Sequence, residues 1–582
     1  MPQPSDVRLI TEKRHLLDYR VTAGRVAALE NAAGFNEPPL GFQDLVVAGL
    51  VSQTASETVA ALDGRFAPQG GGRPVGKGEL VFNVADFGAI GGTVNESTQW
   101  AAAVNACAAA GGGVVTGQKG KTYTAEGIPL KSNVWFDLRG VTINLPATPQ
   151  KAMFKAPVTS ELIGGGICGG EFGGVNKSQH WVDMATVETL QSFVMEGVYV
   201  HDFNRAYNGS LNDRFPVLRD SRIWQNNIGA YVTMNHPIFH FVDFRFNDVA
   251  LTGSINDLYA VGCKFNWGRV GVQPAEGKTI RNSQFVGCVF GRNTEKGAVV
   301  TSRCTITGSF FYGRDNNDDG MTLQGSANVI TSNYFGYEDV DGTWGGAAVR
   351  FASTGQFQDN NLIANNLFQV NGSTAVGIGQ TGTTVLRSTT IAGNTVRCGA
   401  NRKWIVLPSF ANGKISTNNI LITAAGLEAG NGLVEIGSMG TAGSDFTDNG
   451  FFAESTLAGE AFKLGDVIGS NFIGNRFRNI TTPVSTTGSL INARWRANQG
   501  FNTAETGTTG ITDGQTSVTV THGLSVPVTS ARWINVTSMS DMGLAGKFWI
   551  SDITGASFKI NIDRVAGGGK FCSFAWSVDV GR

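Results

Sequence analysis

The sequence has few charges, and those it has nearly cancel. Lys and Arg number 45 and Asp and Glu number 46 among 582 residues, so that 16% of the chain is charged and the formal net charge is −1. Proteins that bind nucleic acid or anionic membranes through electrostatics carry an excess of positive charge. The sequence therefore predicts no nucleic-acid partner and no attachment to an anionic membrane surface.

Long hydrophobic runs and paired cysteine motifs are also missing. No stretch of 18 apolar residues occurs and the start of the chain is not basic and then apolar, so we expect neither a membrane span nor a secretory signal. The seven cysteines are odd in number and form no C-x-x-C, which favours buried thiols over a disulfide framework or a zinc site. Cys263 and Cys288 follow the same motif in adjacent repeats and predict a packed thiol pair.

Glycine, in contrast, is abundant, with 78 residues, and the chain is built on an internal repeat. From Arg139 to Arg478 a small or amide residue recurs just before a large apolar anchor. Steps of 19 to 33 residues, averaging about 26, are typical of solenoids. The predicted anchors are Ile143, Phe172, Val200, Ile223, Phe246, Phe265, Phe290, Phe311, Phe335, Phe368, Val396, Ile420, Phe451 and Phe477.

Within each repeat, short runs rich in Val, Ile, Thr and Phe alternate in polarity, which indicates strands and not helices. A repeat of this length holds three short strands and three turns, so the repeats are predicted to stack as a parallel β-helix. The second residue before the anchor is Asn in six successive repeats, which predicts left-handed Asn residues at a coil corner and an internal hydrogen-bonded Asn ladder. These residues are Asn333, Asn366, Asn394, Asn418, Asn449 and Asn475.

The segment before the repeats carries a more specific pattern. Val84-Ala85-Asp86-Phe87-Gly88-Ala89 leads into an Ala-rich helical stretch at 96–110, then into Gly111-Gly112-Gly113-Val114-Val115 and a Val-rich strand at 134–138. This order resembles the opening of the pectate-lyase-like family of right-handed β-helices, which includes bacteriophage tailspikes. In that family the helix caps the first coil, because a solenoid cannot leave its apolar end open. At Gly91–Asn95 the acidic turn of that family is missing. This difference affects the shape of one turn, and no catalytic motif is involved.

The resemblance and the shifts in composition together predict an all-β chain of three regions. Residues 1–78, with helix-like segments and a linker at 68–78, are expected to attach to a phage tail or baseplate protein and to support an intertwined homotrimer. Residues 79–500 are predicted to form the right-handed parallel β-helix. Residues 501–582 have strand-like runs after a turn-like stretch at 503–514 and predict a small C-terminal β-sandwich for trimerisation or carbohydrate binding.

Acidic residues cluster after three consecutive anchors, Phe290, Phe311 and Phe335. Because coils stack at about 4.8 Å, carboxylates at one corner of neighbouring coils would lie about 5 to 10 Å apart, the range used by glycosidases. Like-charge crowding would supply the raised pKa that the catalytic acid needs. The predicted catalytic carboxylates are Asp318, Asp319, Glu338, Asp339 and Glu295, and the predicted substrate-binding residues are Arg314, Asp315, Tyr337, Asp341, Trp344 and Arg350.

Other interpretations of the same residues stay open. The acidic corner also has the composition of a solvated turn, and Asp315, Asn317 and Asp319 before Gly320 match a calcium loop in part, although Ala327 stands where that loop has Glu. We expect no cofactor and no metal. The aromatic residues Trp224, Trp267 and Trp404 are interpreted as groove or core residues.

The resemblance implies a phage tailspike that binds and depolymerises a bacterial surface polysaccharide, most simply by hydrolysis. Such a protein is made in the host cytoplasm without a signal peptide, assembles into the virion and acts at the bacterial surface. Two alternatives remain at this stage. A polysaccharide lyase would use an Arg, Lys, Tyr or His base, often with a cation, and a receptor-binding tail fibre would grip the sugar without cleaving it.

Overall fold

The computed structural model describes residues 80–580 apart from gaps at 210–212, 215, 314–318, 338–345, 353–356, 371–375, 383, 400–401, 424–429, 438–440, 501, 503, 525–527, 529, 568 and 570. Only the backbone is described at 159–160, 213–214, 234–235, 313, 337 and 441. The predicted N-terminal helices and the linker lie outside the described residues. The chain divides into two compact units, Met1–Ala352 and Ser353–Arg582.

The first unit opens with strand Val81–Asn83, a 3-10 turn at Val84–Phe87 and helix α1, Ser97–Ala109. Helix α1 lies where the Ala-rich stretch predicted it, and it buries Trp100 against the edge of the Tyr123 ring at 5.4 Å between centroids. The carboxylate of Glu96 accepts hydrogen bonds from the backbone N–H groups of Ile90 and Gly91, at 2.7 and 3.0 Å. These bonds fix the turn that leads into α1, which packs on the first strands of the coils.

The coils of the first unit form three parallel ladders, one strand from each ladder per coil. The first ladder comprises Val81–Asn83, Gly113–Thr116, Val134–Asp137, Gly166–Cys168, Val194–Glu196, Val217–Arg219, Ile238–His240, Tyr259–Val261, Gln284–Val286, Thr305–Thr307 and Val329–Thr331. The second comprises Thr122–Thr124, Thr142–Asn144, Glu171–Gly173, Tyr199–His201, Arg222–Trp224, Asp243–Arg245, Lys264–Asn266, Val289–Gly291, Phe310–Gly313 and Tyr334–Tyr337. The third comprises Ile128–Pro129, Phe154–Lys155, His180–Asp183, Arg205–Asn208, Ile228–Asn235, Val249–Asn256, Val270–Pro274, Lys296–Val300, Asp319–Leu323 and Ala347–Phe351. Short strands Thr159–Ile163, Val187–Gln191, Asp213–Arg214 and Ile280–Arg281 extend the third ladder sideways.

The anchors stack on one another along the second ladder, as the repeat predicted, with one correction. Phe265, Phe290 and Phe311 lie in register in the core, and their rings stack at 5.1 and 4.6 Å between centroids. In the coil before them the stacked residue is Phe244, which is fully buried, whereas the predicted anchor Phe246 is 43% exposed. The prediction failed because both Phe residues fit an alternating pattern, and strand Asp243–Arg245 ends before Phe246.

The second unit repeats this architecture with a fourth ladder. Its first ladder comprises Leu362–Ala364, Thr390–Ala392, Lys414–Ser416, Asp445–Thr447, Asn471–Ile473 and Arg494–Arg496. Its second ladder comprises Leu367–Val370, Thr395–Cys398 and Asn419–Ile422. Its third ladder comprises Val376–Gln380, Lys403–Leu407 and Gly432–Ile436. Both ladders continue into the long strands Gly450–Leu464 and Arg476–Thr486. The fourth comprises Phe357–Asp359, Val385–Arg387, Phe410–Ala411, Thr441–Ala442, Val467–Ile468 and Leu490–Ile491. Parallel connections of this kind are right-handed, so the predicted right-handed parallel β-helix is confirmed.

The predicted Asn ladder is present in this unit. Asn418 Oδ1 accepts hydrogen bonds from the backbone N–H and the side-chain amide of Asn394, both at 2.9 Å, and Asn449 accepts equivalent bonds from Asn418. The ladder continues at both ends, through Asn366, Asn475 and Asn498. The predicted left-handed conformation is wrong for these residues. It belongs to the residue just before each of them, at Ser332, Asn365, Gly393, Thr417, Asp448 and Gly474.

The C-terminal residues form two antiparallel three-stranded sheets. The first contains Ala504–Ile511, Ile534–Ser538 and Cys572–Asp579, and the second contains Ser517–Thr521, Phe548–Ser551 and Ser557–Ile562. The two sheets contact each other through ring pairs, Phe548 with Phe574 at 5.3 Å and Phe558 with Trp576 at 5.8 Å. The prediction of a turn-like stretch at 503–514 is wrong for Ala504–Ile511, where alternating Thr and Gly form a strand. A 3-10 turn, Ala531–Trp533, replaces the start of the predicted run at 531–537.

All seven cysteines are free, and all except the half-buried Cys168 are buried, as the sequence predicted. Cys263 and Cys288 lie on adjacent coils, and both thiols donate to backbone carbonyl groups, Cys263 Sγ to Phe239 at 3.4 Å and Cys288 Sγ to Ala260 at 3.5 Å. Burial raises the pKa of the Cys263 thiol well above its usual range. The thiols of the described coils are therefore packing groups.

Candidate functional site

Most of the predicted acidic corner lies outside the described residues. This applies to Asp318, Glu338, Asp339, Arg314, Asp315, Asp341 and Trp344, and only the backbone of Tyr337 is described. Of the predicted site residues, Glu295, Asp319 and Arg350 have described side chains. Glu295 and Asp319 lie on adjacent coils, where the Asp319 N–H donates to the Glu295 carbonyl at 3.3 Å.

Asp319 begins a strand of the third ladder and is only 3% exposed. Its Oδ1 atom accepts hydrogen bonds from Arg350 Nε at 2.6 Å and from the Ala347 N–H at 3.0 Å, and its Oδ2 atom accepts one from the Thr322 hydroxyl at 3.2 Å. Both carboxylate oxygens are thus held in place. The same contacts orient the guanidinium of Arg350, which was predicted to bind substrate.

Glu295 belongs to a ladder of alternating charges on three successive coils. Arg269 lies between Asp248 and Glu295, with its Nε 3.0 Å from Asp248 Oδ1 and its Nη1 2.9 Å from Glu295 Oε2. The hydrogen bond that Arg269 donates to Asp248 raises the pKa of the Arg269 guanidinium. All three side chains are more than a third exposed, so each pair contributes little stability and their charges face solvent.

An aromatic stripe runs along the outside of the coils just before this charge ladder. We define the aromatic stripe as Trp224, Phe246, Trp267 and Arg292, one residue from each of four successive coils. The last three occupy the corner just after their strands, and Trp224 is the last residue of its strand, one position before the corner. The ring centroids of Phe246 lie 6.1 Å from Trp224 and 5.7 Å from Trp267, and the Arg292 guanidinium carbon lies 4.0 Å above the Trp267 ring. At about 4.8 Å per coil the stripe spans about 14 Å along the helix axis.

The backbone conformation of the corner directs these side chains outward. Phe246, Trp267 and Arg292 have φ angles of 56°, 62° and 54°, in the left-handed region. The same conformation recurs just before the buried corner Asn of other coils, at Ser332 and Thr417 for example, so it belongs to the corner of the coil. Asn226, Asn247 and Asn293, which follow the corner, are buried and hydrogen-bond between coils, so they lock the backbone beneath the stripe.

Cations surround the first ring of the stripe. The guanidinium carbons of Arg222 and Arg245 lie 5.8 and 5.7 Å from the Trp224 ring, within cation–π range. Arg245 Nε also lies 2.9 Å from Oδ1 of Asp243, an outward-facing residue that is nevertheless only 6% exposed. Burial raises the pKa of the Asp243 carboxyl, against the opposing charges of Arg245, Lys264 and Arg222. Buried carboxyls with a perturbed pKa and a charge partner are candidates for functional residues, although structural ion pairs show the same shift.

Sequence reasoning found only part of this surface. Trp224 and Trp267 were interpreted as groove or core residues, and the structure places both half-buried on the outside, whereas Trp404 is fully buried in the core. Phe246 was assigned to the core and Asp243 was not considered. The available clue was the sequence Asp-Phe-Arg-Phe at 243–246, where two Phe residues compete for one core position.

Among the residues that the structure describes, no group of three or more His, Cys, Asp and Glu side chains converges in a way that could hold a metal. Asp315 and Asn317 of the partial calcium motif lie outside the described residues. Within the same described set, no helix is long and apolar enough to cross a membrane.

No protein-family model matches this sequence, and no curated protein matches it. Among solved structures, a double mutant of the tailspike protein of Escherichia coli bacteriophage HK620 is 13% identical with a TM-score of 0.48, and the match covers 86% of this chain and 93% of that one. A mutant of the same tailspike in complex with a pentasaccharide is 15% identical with a TM-score of 0.46 over the same shares. The A-module of a mannuronan C-5 epimerase from Azotobacter vinelandii is 17% identical with a TM-score of 0.38, over 59% of this chain and 95% of that one.

These similarities concern the fold alone, and the sheet topology establishes that fold independently. The parallel ladders, the buried Phe stack and the helix at the N-terminal end of the coils agree with what the resemblance to tailspikes implied. The fold of this chain is the right-handed parallel β-helix.

Proposed function

We propose that this protein binds a bacterial surface polysaccharide along the aromatic stripe and depolymerises it, as a tailspike of a bacteriophage virion. The observation that carries the proposal is the row of outward-facing rings and guanidinium groups at one corner of successive coils. A row repeated at the coil spacing suits a repeating polymer, because each coil can offer an equivalent contact to the next unit of the chain.

The chemistry of the stripe suits sugars. The apolar face of an aromatic ring can cover the C–H face of a sugar ring. The guanidinium groups beside the rings can donate hydrogen bonds to the hydroxyl or carboxylate groups of the sugar. Phe246 exposes 43% of its surface. An exposed large apolar residue in a row with others indicates a binding surface.

For hydrolysis, the proposal places the two carboxylates in the acidic corner, among Asp318, Asp319, Glu338, Asp339 and Glu295. Glycosidases need one protonated and one ionised carboxyl about 5 to 10 Å apart. Asp243 does not fit as the partner of Asp319, because their coils are three steps apart, about 14 Å along the axis. We assign Asp243 the role of positioning Arg245 beside Trp224.

The proposal is tested by mixing the purified protein with polysaccharides from candidate host bacteria. New reducing ends without ultraviolet absorbance of an unsaturated uronate would establish hydrolysis, and both signals together would establish a lyase. Loss of the reducing-end signal in Asp319→Asn, with Glu505→Gln as a control carboxylate outside the coils, would assign the activity to the corner. A polysaccharide that is neither bound nor cleaved by the wild-type protein across the host panel would contradict the proposal.

One observation favours a second candidate function, a receptor-binding fibre without enzymatic activity. Glu295 and Asp319, the two candidate carboxylates with described side chains, are each engaged by an arginine, Arg269 and Arg350. Carboxylates held in ion pairs can serve to orient cations for binding. Tight binding to a polysaccharide without new reducing ends or absorbance would decide for this function.

A further inference from the structure

The second unit contains a large cavity between the last described coil and the C-terminal sheets. Its volume is about 1230 Å³, and it lies between strand Arg494–Arg496 of the coil and Trp533 and Asp579 of the C-terminal region. Pockets for small ligands usually measure about 300 to 1,000 Å³. The cavity is therefore large enough for a ligand of several linked rings.

Arginine side chains dominate the charge of the cavity lining. Arg494 and Arg496 point outward because Trp495 between them is buried in the core at 1% exposure, and strand residues alternate between faces. Arg532 adds a third guanidinium from the C-terminal region, 5.5 Å from the Trp533 ring.

The three arginines, all exposed, make no ion pair with any carboxylate that the structure describes. Elsewhere in the described part of this unit, Arg387 is bonded to Asp359 by two hydrogen bonds of 2.8 and 3.0 Å. Asp579 is the single carboxylate of the lining. Three like charges around one cavity repel one another, and a bound anion removes that repulsion.

We propose that this cavity binds a carboxylate-bearing segment of a polysaccharide, such as two or three linked uronic acid residues. The planar guanidinium matches a carboxylate with two parallel hydrogen bonds. The amide group of Asn492 in the lining can bond sugar hydroxyls, whereas the Asn471 amide already donates to Asp445 Oδ1 at 2.7 Å. The site belongs to the second unit and is distinct from the aromatic stripe of the first. It therefore stands or falls separately from the proposed function.

The test uses the full-length protein and a short oligogalacturonate, with its methyl ester as the uncharged counterpart. Calorimetric titration is expected to show binding of the oligogalacturonate that weakens with added salt, and no binding of the ester. Each of Arg494→Gln, Arg496→Gln and Arg532→Gln is expected to weaken binding by about five- to tenfold, since each removes one charge-assisted contact. The matched control is Arg478→Gln, an exposed arginine of the same coil region that does not line the cavity.

Several results would overturn the proposal. Equal binding of acid and ester would show that the carboxylates are not recognised, and an equal loss in Arg478→Gln would show diffuse electrostatic attraction. Tighter binding of a polyphosphate of matched charge would assign the site to phosphate groups. If the arginine variants changed the sedimentation of the protein and left oligogalacturonate binding intact, the cavity would be an interface between copies of the chain. Loss of binding in Trp267→Ala alone would place the contact on the aromatic stripe instead.

Discussion

Phe244 and Phe246 lie two residues apart, and the structure predicts opposite consequences for their replacement by alanine. Phe244 is fully buried and stacks on Phe265 with 5.4 Å between ring centroids and an interplanar angle of 8°. Truncation of such a ring leaves a cavity and costs about 3 to 5 kcal/mol of unfolding free energy. Phe246 is 43% exposed, so its truncation forfeits only part of the burial of a large side chain and costs about 1 kcal/mol.

Binding is expected to respond in the reverse order. Phe246→Ala removes the central ring of the aromatic stripe and should weaken polysaccharide binding by about tenfold, the equivalent of about 1.4 kcal/mol. Phe244→Ala removes no surface group and should bind with wild-type affinity at temperatures where it remains folded.

Two assays on the same preparations of Phe244→Ala and Phe246→Ala measure their stability and their affinity for the polysaccharide. Denaturation by guanidinium, followed by tryptophan fluorescence, reports the unfolding free energy, and affinity electrophoresis in a gel that contains a bound polysaccharide reports affinity. Phe357→Ala is a matched control, because Phe357 is also 43% exposed but lies outside the stripe. Equal destabilisation by both variants would refute the core assignment, and unchanged binding by Phe246→Ala would refute the role of the stripe.

Three further predictions concern the interior and the buried charge. Asn418→Ala should lower the free energy of unfolding by about 3 kcal/mol, because it leaves buried donors and acceptors of the ladder without partners. Asn419→Ala, at the exposed neighbouring position, should lower it only slightly. Guanidinium denaturation of both variants measures the difference. Burial raises the pKa of Asp243 above its ordinary value of 3.8, so its contribution to stability is fully present below that pH and is lost as pH rises through the folded-state value. The unfolding free energy of Asp243→Asn relative to wild type should therefore rise over that window, and a flat difference across a pH series would contradict the reasoning. The buried thiols of Cys263 and Cys288 should resist alkylation in the native protein and react only after unfolding, as mass spectrometry can measure.

The coil architecture could be predicted because its causes are local. Each anchor alternates with polar neighbours over three or four residues, and many of the turns carry their own Gly or Asn. The conformational detail was less accessible. Asn418 was expected in the left-handed region, and the structure places Thr417 there, because the hydrogen bonds of Asn418 to the neighbouring coils fix the corner one residue later than the left-handed position.

The candidate site could be predicted only in composition. The density of carboxylates after three anchors marked a corner, but the partners that decide their chemistry come from other coils. Asp319 is bound by Arg350, 31 residues later, and Glu295 by Arg269, 26 residues earlier. With Phe244 as the anchor of its coil, the steps between successive anchors vary from 21 to 33 residues, so spacing alone does not tell which arginine meets which carboxylate.

A period and an alternation are properties of neighbouring residues, so the amino-acid sequence was enough to predict a solenoid of short parallel strands with a buried Phe and Ile stack, free thiols and an Asn ladder. Which side chains share the outer surface depends on contacts between coils, and those contacts are visible only in the folded chain. Phe246 joins Trp224 and Trp267 in the aromatic stripe because its strand ends one residue earlier, at Arg245. The arginine-lined cavity of the second unit exists only because residues far apart in the chain close around it.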